Sequence, residues 1–254
     1  MIYDLQKAGM WKRISAYLFD FILLGMLTVG IAALLSLVLG YDNHFETMNE
    51  CYSKYEEQYG VSFDIGQDDF DKFTEEERQH YMTALDALYN DAVFNLSYYM
   101  VVNLSFIIII FSLLTSHLIL EFTVPMLFKN GQTLGKKVFG VAVMRVDGVK
   151  INGPILFTRA ILGKYVVETM LPILFLLMII FNITSGIVGL IAIAAVLLTN
   201  LVMIIVSKSN TAIHDLLSST VAVDMASQLI FENPEALIEY KQRIHAQEVE
   251  KSQY

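Results

Sequence analysis

Residues 187–206 of the chain are IVGLIAIAAVLLTNLVMIIV and contain no ionisable side chain. At a rise of about 1.5 Å per residue, a helix of this length can cross the hydrocarbon core of a bilayer, which is roughly 30 Å thick. Further apolar runs lie at Ile14–Gly40, Tyr98–Leu120 and Tyr165–Phe181. Only 17% of the residues are charged, against roughly 25% in soluble proteins. The sequence therefore predicts an integral membrane protein.

The number of spans depends on the third run, which is short and contains Glu168 and Pro172. It is either a tilted span or half of a re-entrant hairpin, with residues 182–186 as the turn. We predict an all-α membrane protein with a bundle of four transmembrane helices, and three spans are the alternative. The first run is far longer than the apolar region of a signal peptide, about 7 to 15 residues, so we expect it to remain attached.

The charges are distributed asymmetrically along the chain. Residues Tyr41 to Ser97 contain 14 Asp and Glu but only three Lys and Arg, a net charge of −11, whereas the rest of the chain has a net charge of +2. The basic residues near the ends of the predicted spans are Lys7, Lys12, Arg13, Lys129, Lys136, Lys137, Lys164 and Lys208. The positive-inside rule then predicts that both termini are cytoplasmic and that the acidic segment is extracytoplasmic. The acidic balance disfavours binding to nucleic acid.

These features divide the chain into six parts. They are an interfacial segment and the first span (1–40), an acidic helical insertion (41–97), the second span (98–128), a basic cytoplasmic loop (129–164), the third and fourth spans (165–206) and a cytoplasmic C-terminal region (207–254).

The acidic insertion is predicted to fold, because it contains seven aromatic residues between Tyr52 and Tyr81. A first helix is predicted at His44–Gln58, with Gly60 as its stop. A second helix opens at the capping-box pattern that starts at Thr74, and we expect it to continue into the second span. Cys51 is the single cysteine and cannot form an internal disulfide.

The cytoplasmic parts contain short stretches of β-branched residues. The turn pair Asp147-Gly148 within Val138–Ile151 predicts a small β-hairpin, to which residues 219–224 could add a third strand. A C-terminal helix is predicted to begin at Asn233, which precedes a proline.

Charged residues inside the apolar runs are the candidate functional residues. Asp20 lies on the same face of the first helix as Arg13, but about 10 Å further along its axis, so it needs a partner from elsewhere in the chain. His117 and Glu121 form an i, i+4 pair that is either a proton or cation relay with Asp20 or a set of interfacial hydrogen bonds. Glu168 is expected to belong to a surface ion-pair set with Arg159 and Lys164.

Three motifs in order resemble those of the RDD family of multi-spanning membrane proteins, which is named for one arginine and two aspartates. Arg13 and Asp20, within the pattern formed by Ala8, Gly9, Arg13, Ala16 and Asp20, match the arginine and the first aspartate. The stretch from Gly131 to Val143 resembles the family's Thr-x-Gly-Lys motif, and His214-Asp215 resembles its closing motif and supplies the second aspartate. The acidic insertion is longer than the family's compact core requires.

Other ligand sites are disfavoured by spacing. Gly135-Lys136-Lys137 lacks the Walker A pattern, and we expect both lysines to contact lipid phosphates instead. The acidic run Asp64–Glu76 lacks the EF-hand spacing. We therefore predict no cofactor, no metal site and no enzymatic activity.

Two functions remain. The resemblance implies a transporter of small ions or solutes, and we predict exchange of H⁺ against a cation such as Na⁺. Arg13, Asp20 and Asp215 would form its polar core, with His117, Glu121 and His214 as secondary candidates. In this hypothesis, protonation and cation binding compete at Asp20 and Asp215, and Arg13 holds or releases Asp215. The alternative is a non-catalytic scaffold that binds a partner, a membrane protein or a second copy of the chain, in which the same residues form a buried structural tie.

Overall fold

A computed structural model describes residues 5–128, 130–180, 186–206 and 211–252. The helices are α1 (Met10–Leu39), α2 (Tyr41–Tyr59), α3 (Gln67–Phe70), α4 (Glu75–Tyr89), α5 (Ala92–Phe128), α6 (Leu134–Val138), α7 (Gly153–Ile180), α8 (Gly186–Val206), α9 (Ile213–Leu217) and α10 (Pro234–Ser252). Two strands complete the fold, β1 (Val141–Arg145) and β2 (Thr220–Asp224).

Four of these helices, α1, α5, α7 and α8, are long and apolar enough to cross a membrane. This finding confirms the all-α membrane fold with four candidate spans. α1 and α8 bury almost none of their apolar side chains within the protein: Leu37 is 75% exposed and Ile187 is 74% exposed. Such helices satisfy all their backbone hydrogen bonds internally, so their apolar side chains can face lipid. Residues 182–185 of the turn predicted between the third and fourth spans lie outside the described residues, as do Lys129 and Lys208.

The chain divides into two compact units. Unit 1 comprises Met1–Thr28 and Leu113–Tyr254, and unit 2 comprises Val29–Ser112.

Unit 2 contains the acidic insertion, which folds around a small apolar core. Cys51, Leu88 and Phe94 are buried together, and the Tyr52 ring packs edge-on against Phe94 with a centroid distance of 5.1 Å. α2 ends at Gly60, whose φ of 64° is a left-handed conformation that glycine adopts without strain. Two of the sequence signals for this segment, the stop at Gly60 and the capping box at Thr74, are present in the structure.

The second helix of the insertion ends earlier than expected. α4 stops at Tyr89 and does not continue into the second span. Asp91 interrupts it, because its carboxylate accepts hydrogen bonds from the backbone N–H groups of Val93 and Phe94 at 2.7 and 3.1 Å. An aspartate in this position caps the start of a new helix, α5.

The sheet of unit 1 joins distant parts of the chain. β1 pairs with β2 in antiparallel register, with Val141 opposite Asp224 and Arg145 opposite Thr220. The predicted hairpin return after Asp147-Gly148 is represented by a single bridge between Met144 and Lys150. β1 therefore pairs mainly with β2, which the sequence suggested only as a third strand.

Burial on both faces explains this preference for β2. One face of the sheet buries Ala142, Met144, Val221 and Val223, and the other buries Val141 and Ala222 against Ala8. The second edge of β2 is covered by the N-terminal segment, which makes a bridge from Lys7 to Val223. Since apolar side chains alternate to both faces, the strand is stable only when it is covered on both.

Candidate functional site

Asp215 lies in the short helix α9 of unit 1 and is 1% exposed. The Arg159 side chain donates two hydrogen bonds to its Oδ1, from Nε at 3.1 Å and from Nη2 at 2.9 Å. Thr220 Oγ1 donates to the same oxygen at 3.1 Å. Burial by itself raises the pKa of Asp215, but the charge of Arg159 outweighs it and holds the pKa well below its usual range. Asp215 is therefore charged at neutral pH.

Arg13, the predicted partner of Asp215, is the more distant of its two arginines. Its Nη2 lies 4.0 Å from Asp215 Oδ2. The closer arginine, Arg159, was assigned from the sequence to the protein surface, but it is 3% exposed.

His214 connects two carboxylates. Its Nδ1 lies 2.8 Å from Glu168 Oε1, and its backbone N–H donates to the same oxygen at 3.1 Å. On the other side of the ring, Nε2 lies 3.6 Å from Asp215 Oδ2. The sequence-based assignment of Glu168 to a surface ion-pair set does not match its position, since its side chain is 14% exposed and contacts His214.

A π-helical segment in α7, Thr158–Met170, accounts for these positions. Arg159 and Glu168 are nine residues apart, which is two and a half turns of an α-helix and would place them on opposite faces. Hydrogen bonds from i to i+5 widen each turn to more than four residues, so nine residues make about two turns. The π geometry therefore brings Arg159 and Glu168 to one face.

Close backbone packing holds α9 against this segment. A Cβ atom on Gly163 would lie 2.5 Å from His214 Cβ and 2.6 Å from His214 Cα. Real Cβ atoms essentially never approach this closely, so residue 163 has to be glycine for α9 to reach Arg159 and Glu168.

Asp20 is held by a different set of groups. Thr133 Oγ1 donates to its Oδ2 at 2.5 Å, and the backbone N–H of Gly135 donates to its Oδ1 at 2.7 Å. Lys136 Nζ lies 3.9 Å from Asp20 Oδ2 and donates to Thr133 Oγ1 at 3.2 Å. The partner that Asp20 was predicted to need is therefore the turn before α6 together with Lys136.

The two lysines of the Gly135-Lys136-Lys137 motif have different surroundings. The side chain of Lys136 is 12% exposed, and its Nζ lies near the Asp20 carboxylate. Burial, together with the charge of Lys164, lowers the pKa of Lys136 to about 7. Lys137 is exposed, and its Nζ lies 3.8 Å from the centroid of the Phe128 ring, a cation–π contact.

His117 and Glu121 flank the start of a π-helical segment in α5, Leu118–Thr123. Glu121 Oε1 lies 2.5 Å from Lys164 Nζ, and His117 Nε2 lies 3.3 Å from Thr169 Oγ1. These contacts connect the pair to α7, and the described contacts connect neither residue to Asp20.

A cavity of about 570 Å³ within unit 1 brings most of these groups together. Of the residues predicted from sequence, Arg13, Asp20, His214 and Asp215 line it. Five further charged residues also line it, Lys7, Lys136, Arg159, Lys164 and Glu168. Arg13, Asp20 and Asp215 thus converge on one space, although Asp20 and Asp215 have different direct partners.

Among the residues that the structure describes, no group of three or more His, Cys, Asp or Glu side chains is arranged to hold a metal ion. The carboxylates of the cavity lie instead beside Arg, Lys or His side chains.

Comparison with known proteins identifies one family. A model of the RDD family matches residues 7–219, which include Arg13, Asp20, the Gly135-Lys136 turn and Asp215. No curated protein and no solved structure matches the chain.

Proposed function

The chain belongs to the RDD family of membrane proteins, and on that premise we propose that it exchanges protons for a small cation such as Na⁺ across a cell membrane. The observation that carries the proposal is the position of Asp20. Its carboxylate lines a cavity of about 570 Å³ and receives its two short hydrogen bonds from uncharged groups, Thr133 and Gly135. Its ion-pair partner, Lys136, is 3.9 Å away.

The other carboxylates are less suited to exchange. Asp215 receives two hydrogen bonds from Arg159, and Glu121 is paired with Lys164 at 2.5 Å. Removing either cation would leave a buried charge without compensation, which costs several kcal/mol. At Asp20 the ammonium group could be replaced by a mobile cation without loss of the two short hydrogen bonds.

Lys136 supplies the proton in this scheme. Its pKa of about 7 means that it carries a proton below neutral pH and releases it above. Protonated Lys136 neutralises Asp20 and excludes a cation, whereas neutral Lys136 leaves Asp20 as the binding group for the transported cation. Proton and cation thus compete for one negative charge.

The orientation follows from charge. The basic residues Lys7, Lys12, Lys136 and Lys137 belong to unit 1, and unit 2 contains the strongly acidic segment. We propose that both termini are cytoplasmic and that the acidic insertion is extracytoplasmic, in the cell membrane of a bacterium. We expect no enzymatic activity, because the sequence contains no recognisable nucleophile motif.

Asp20→Asn is expected to reduce cation-driven proton flux by about tenfold or more, the factor that corresponds to about 1.4 kcal/mol of lost interaction. The amide keeps the size of the side chain but removes the charge that both ions require. Flux would be measured in proteoliposomes with a pH-sensitive dye after addition of Na⁺. The matched control is Asp147→Asn, because Asp147 is 42% exposed, pairs with Arg145 and is not in the cavity. Equal flux from the two variants would contradict ion exchange at Asp20.

Lys136→Arg is expected to abolish the pH dependence of cation uptake. In the unsubstituted protein, uptake should rise between about pH 6 and about pH 8, because Lys136 loses its proton over this range. Arginine keeps its charge at every such pH, so uptake by the variant should remain low. The exposed neighbour provides the control, since Lys137→Arg should leave the profile unchanged. A rising profile in Lys136→Arg would overturn the role of this lysine.

A scaffold remains the second candidate, and one observation favours it. Unit 2 has its own buried core, and its acidic helices α2 and α4 expose most of their charged side chains. A folded acidic surface of this kind could bind a basic partner. Binding of a partner by the full chain, together with the absence of flux in every preparation, would support the scaffold over the exchanger.

A further inference from the structure

The cavity of unit 1 has two chemically different walls. Its charged wall is formed by side chains from α1, α6, α7 and α9, as described above. Its apolar wall includes Ile14 and Tyr17 of α1 and Leu197, Leu201 and Ile204 of α8. Tyr17 and Leu201 are also 61% and 52% exposed at the outer surface of their helices. The cavity thus borders both a polar interior and the surface that faces lipid.

The sequence of α1 places the charged wall at the edge of the membrane. Residues 21–39, which follow Asp20, contain no Asp, Glu, Lys, Arg or His. Nineteen residues at about 1.5 Å each extend roughly 28 Å, close to the full thickness of the hydrocarbon core. Asp20 and the cavity beside it therefore lie at the level of the lipid headgroups, on the side where α1 begins and α8 ends.

The charge of the lining is positive. Five basic residues line the cavity, Lys7, Arg13, Lys136, Arg159 and Lys164, against the acidic residues Asp20, Glu168 and Asp215. Glu121 neutralises Lys164 from outside the lining, which leaves an excess of one positive charge when Lys136 is protonated. An anion with hydrogen-bond acceptors complements such a lining, and guanidinium and ammonium groups are the usual partners of phosphate.

The volume also exceeds what a small ion needs. A water molecule occupies about 30 Å³ of liquid, so a cavity of about 570 Å³ has room for a polar group of many atoms.

From these observations we propose that the cavity binds an anionic phospholipid of the adjoining leaflet. Its phosphate lies against the basic side chains, and part of an acyl chain lies along Leu197 and Leu201, between α1 and α8. This site goes beyond ion exchange and can exist with or without it, because lipid binding requires the basic side chains and the apolar wall but no passage of a cation across the membrane.

The test compares two tryptophan substitutions on α8. Leu201→Trp fills the apolar wall of the cavity, whereas Leu198→Trp adds the same ring at a neighbouring position that is 58% exposed and is not part of the lining. Both side chains are at least half exposed, so neither substitution should prevent folding. Binding would be measured by native mass spectrometry of the full chain in detergent, after titration with phosphatidylglycerol or with phosphatidylcholine of the same acyl chains.

The unsubstituted chain and Leu198→Trp are expected to bind phosphatidylglycerol about tenfold more tightly than phosphatidylcholine. Leu201→Trp should lose this binding by about tenfold or more, a loss of about 1.4 kcal/mol. Equal affinity for the two lipids, or equal loss in the two tryptophan variants, would overturn the proposal. Competition by inorganic phosphate at the affinity of the lipid would also overturn it, since that would show a site for free phosphate. Lipid binding is read by mass spectrometry and ion exchange by flux in proteoliposomes, so failure of ion exchange and failure of lipid binding give different results.

Discussion

Asp215→Asn is expected to destabilise unit 1 by about 3 to 5 kcal/mol, the cost of removing one partner of a buried ion pair. Arg159 is 3% exposed and donates two hydrogen bonds to Asp215. An asparagine can still accept a hydrogen bond, but it cannot balance the guanidinium charge. Arg159 would then remain buried as an uncompensated cation, and the docking of α9 against α7 would weaken.

The measurement is the midpoint of thermal unfolding. It is obtained from the fraction of monodisperse protein that is recovered in detergent after heating to a series of temperatures. Asp224→Asn is the matched control, because Asp224 pairs with the half-exposed Lys12 at the surface. A double variant with Arg159→Met and Asp215→Leu should recover much of the lost stability, since apolar residues of similar volume can replace a buried ion pair. If Asp215→Asn and Asp224→Asn have the same midpoint, the Arg159–Asp215 pair does not hold α9.

Gly135→Ala is expected to cost about 1 to 3 kcal/mol of stability, the usual range for overpacking, and to abolish ion exchange. A Cβ atom at this position would lie 2.9 Å from the Asp20 carboxylate and even closer to the backbone oxygen of Ala16. A backbone atom cannot move aside without shifting the whole of α1. The N–H of residue 135 would therefore be displaced from Asp20, to which it donates at 2.7 Å.

The control for this substitution is Gly25→Ala on α1, where no atom lies within 4 Å of the added Cβ. Alanine also has a higher helix propensity than glycine, so this control should be neutral or slightly stabilising. Thermal midpoints and proteoliposome flux would be measured for both variants. If Gly135→Ala and Gly25→Ala have the same flux and the same thermal midpoint, the close approach of α6 to α1 is not required for stability or ion exchange.

The sequence was sufficient to predict the elements whose signals are local. Four apolar runs correspond to α1, α5, α7 and α8, and the cap signals at Gly60 and Thr74 mark true ends of α2 and α4. Asp20 was also expected to require a partner from another segment, because an acidic side chain near hydrocarbon is costly.

The partners themselves could not be predicted, because they depend on tertiary geometry. The period of an α-helix places Arg159 and Glu168 on opposite faces, and only the wider π-helical turns bring both to the cavity. The available signal was the presence of Arg159, Lys164 and Glu168 within or beside an apolar run, where ionisable residues are rare. The backbone N–H of Gly135 gives no sequence signal beyond the glycine itself.

The pairing of β1 with β2 also constrains how the protein is made. β1 ends at Arg145 and β2 begins at Thr220, and two membrane helices lie between them. At a synthesis rate of about 5 to 20 residues per second, the earlier strand emerges roughly 4 to 15 seconds before its partner. During that interval the apolar residues of β1 lack their partner strand, and the sheet closes only after α7 and α8 have been synthesised. Strand pairing is therefore a late step in the assembly of unit 1.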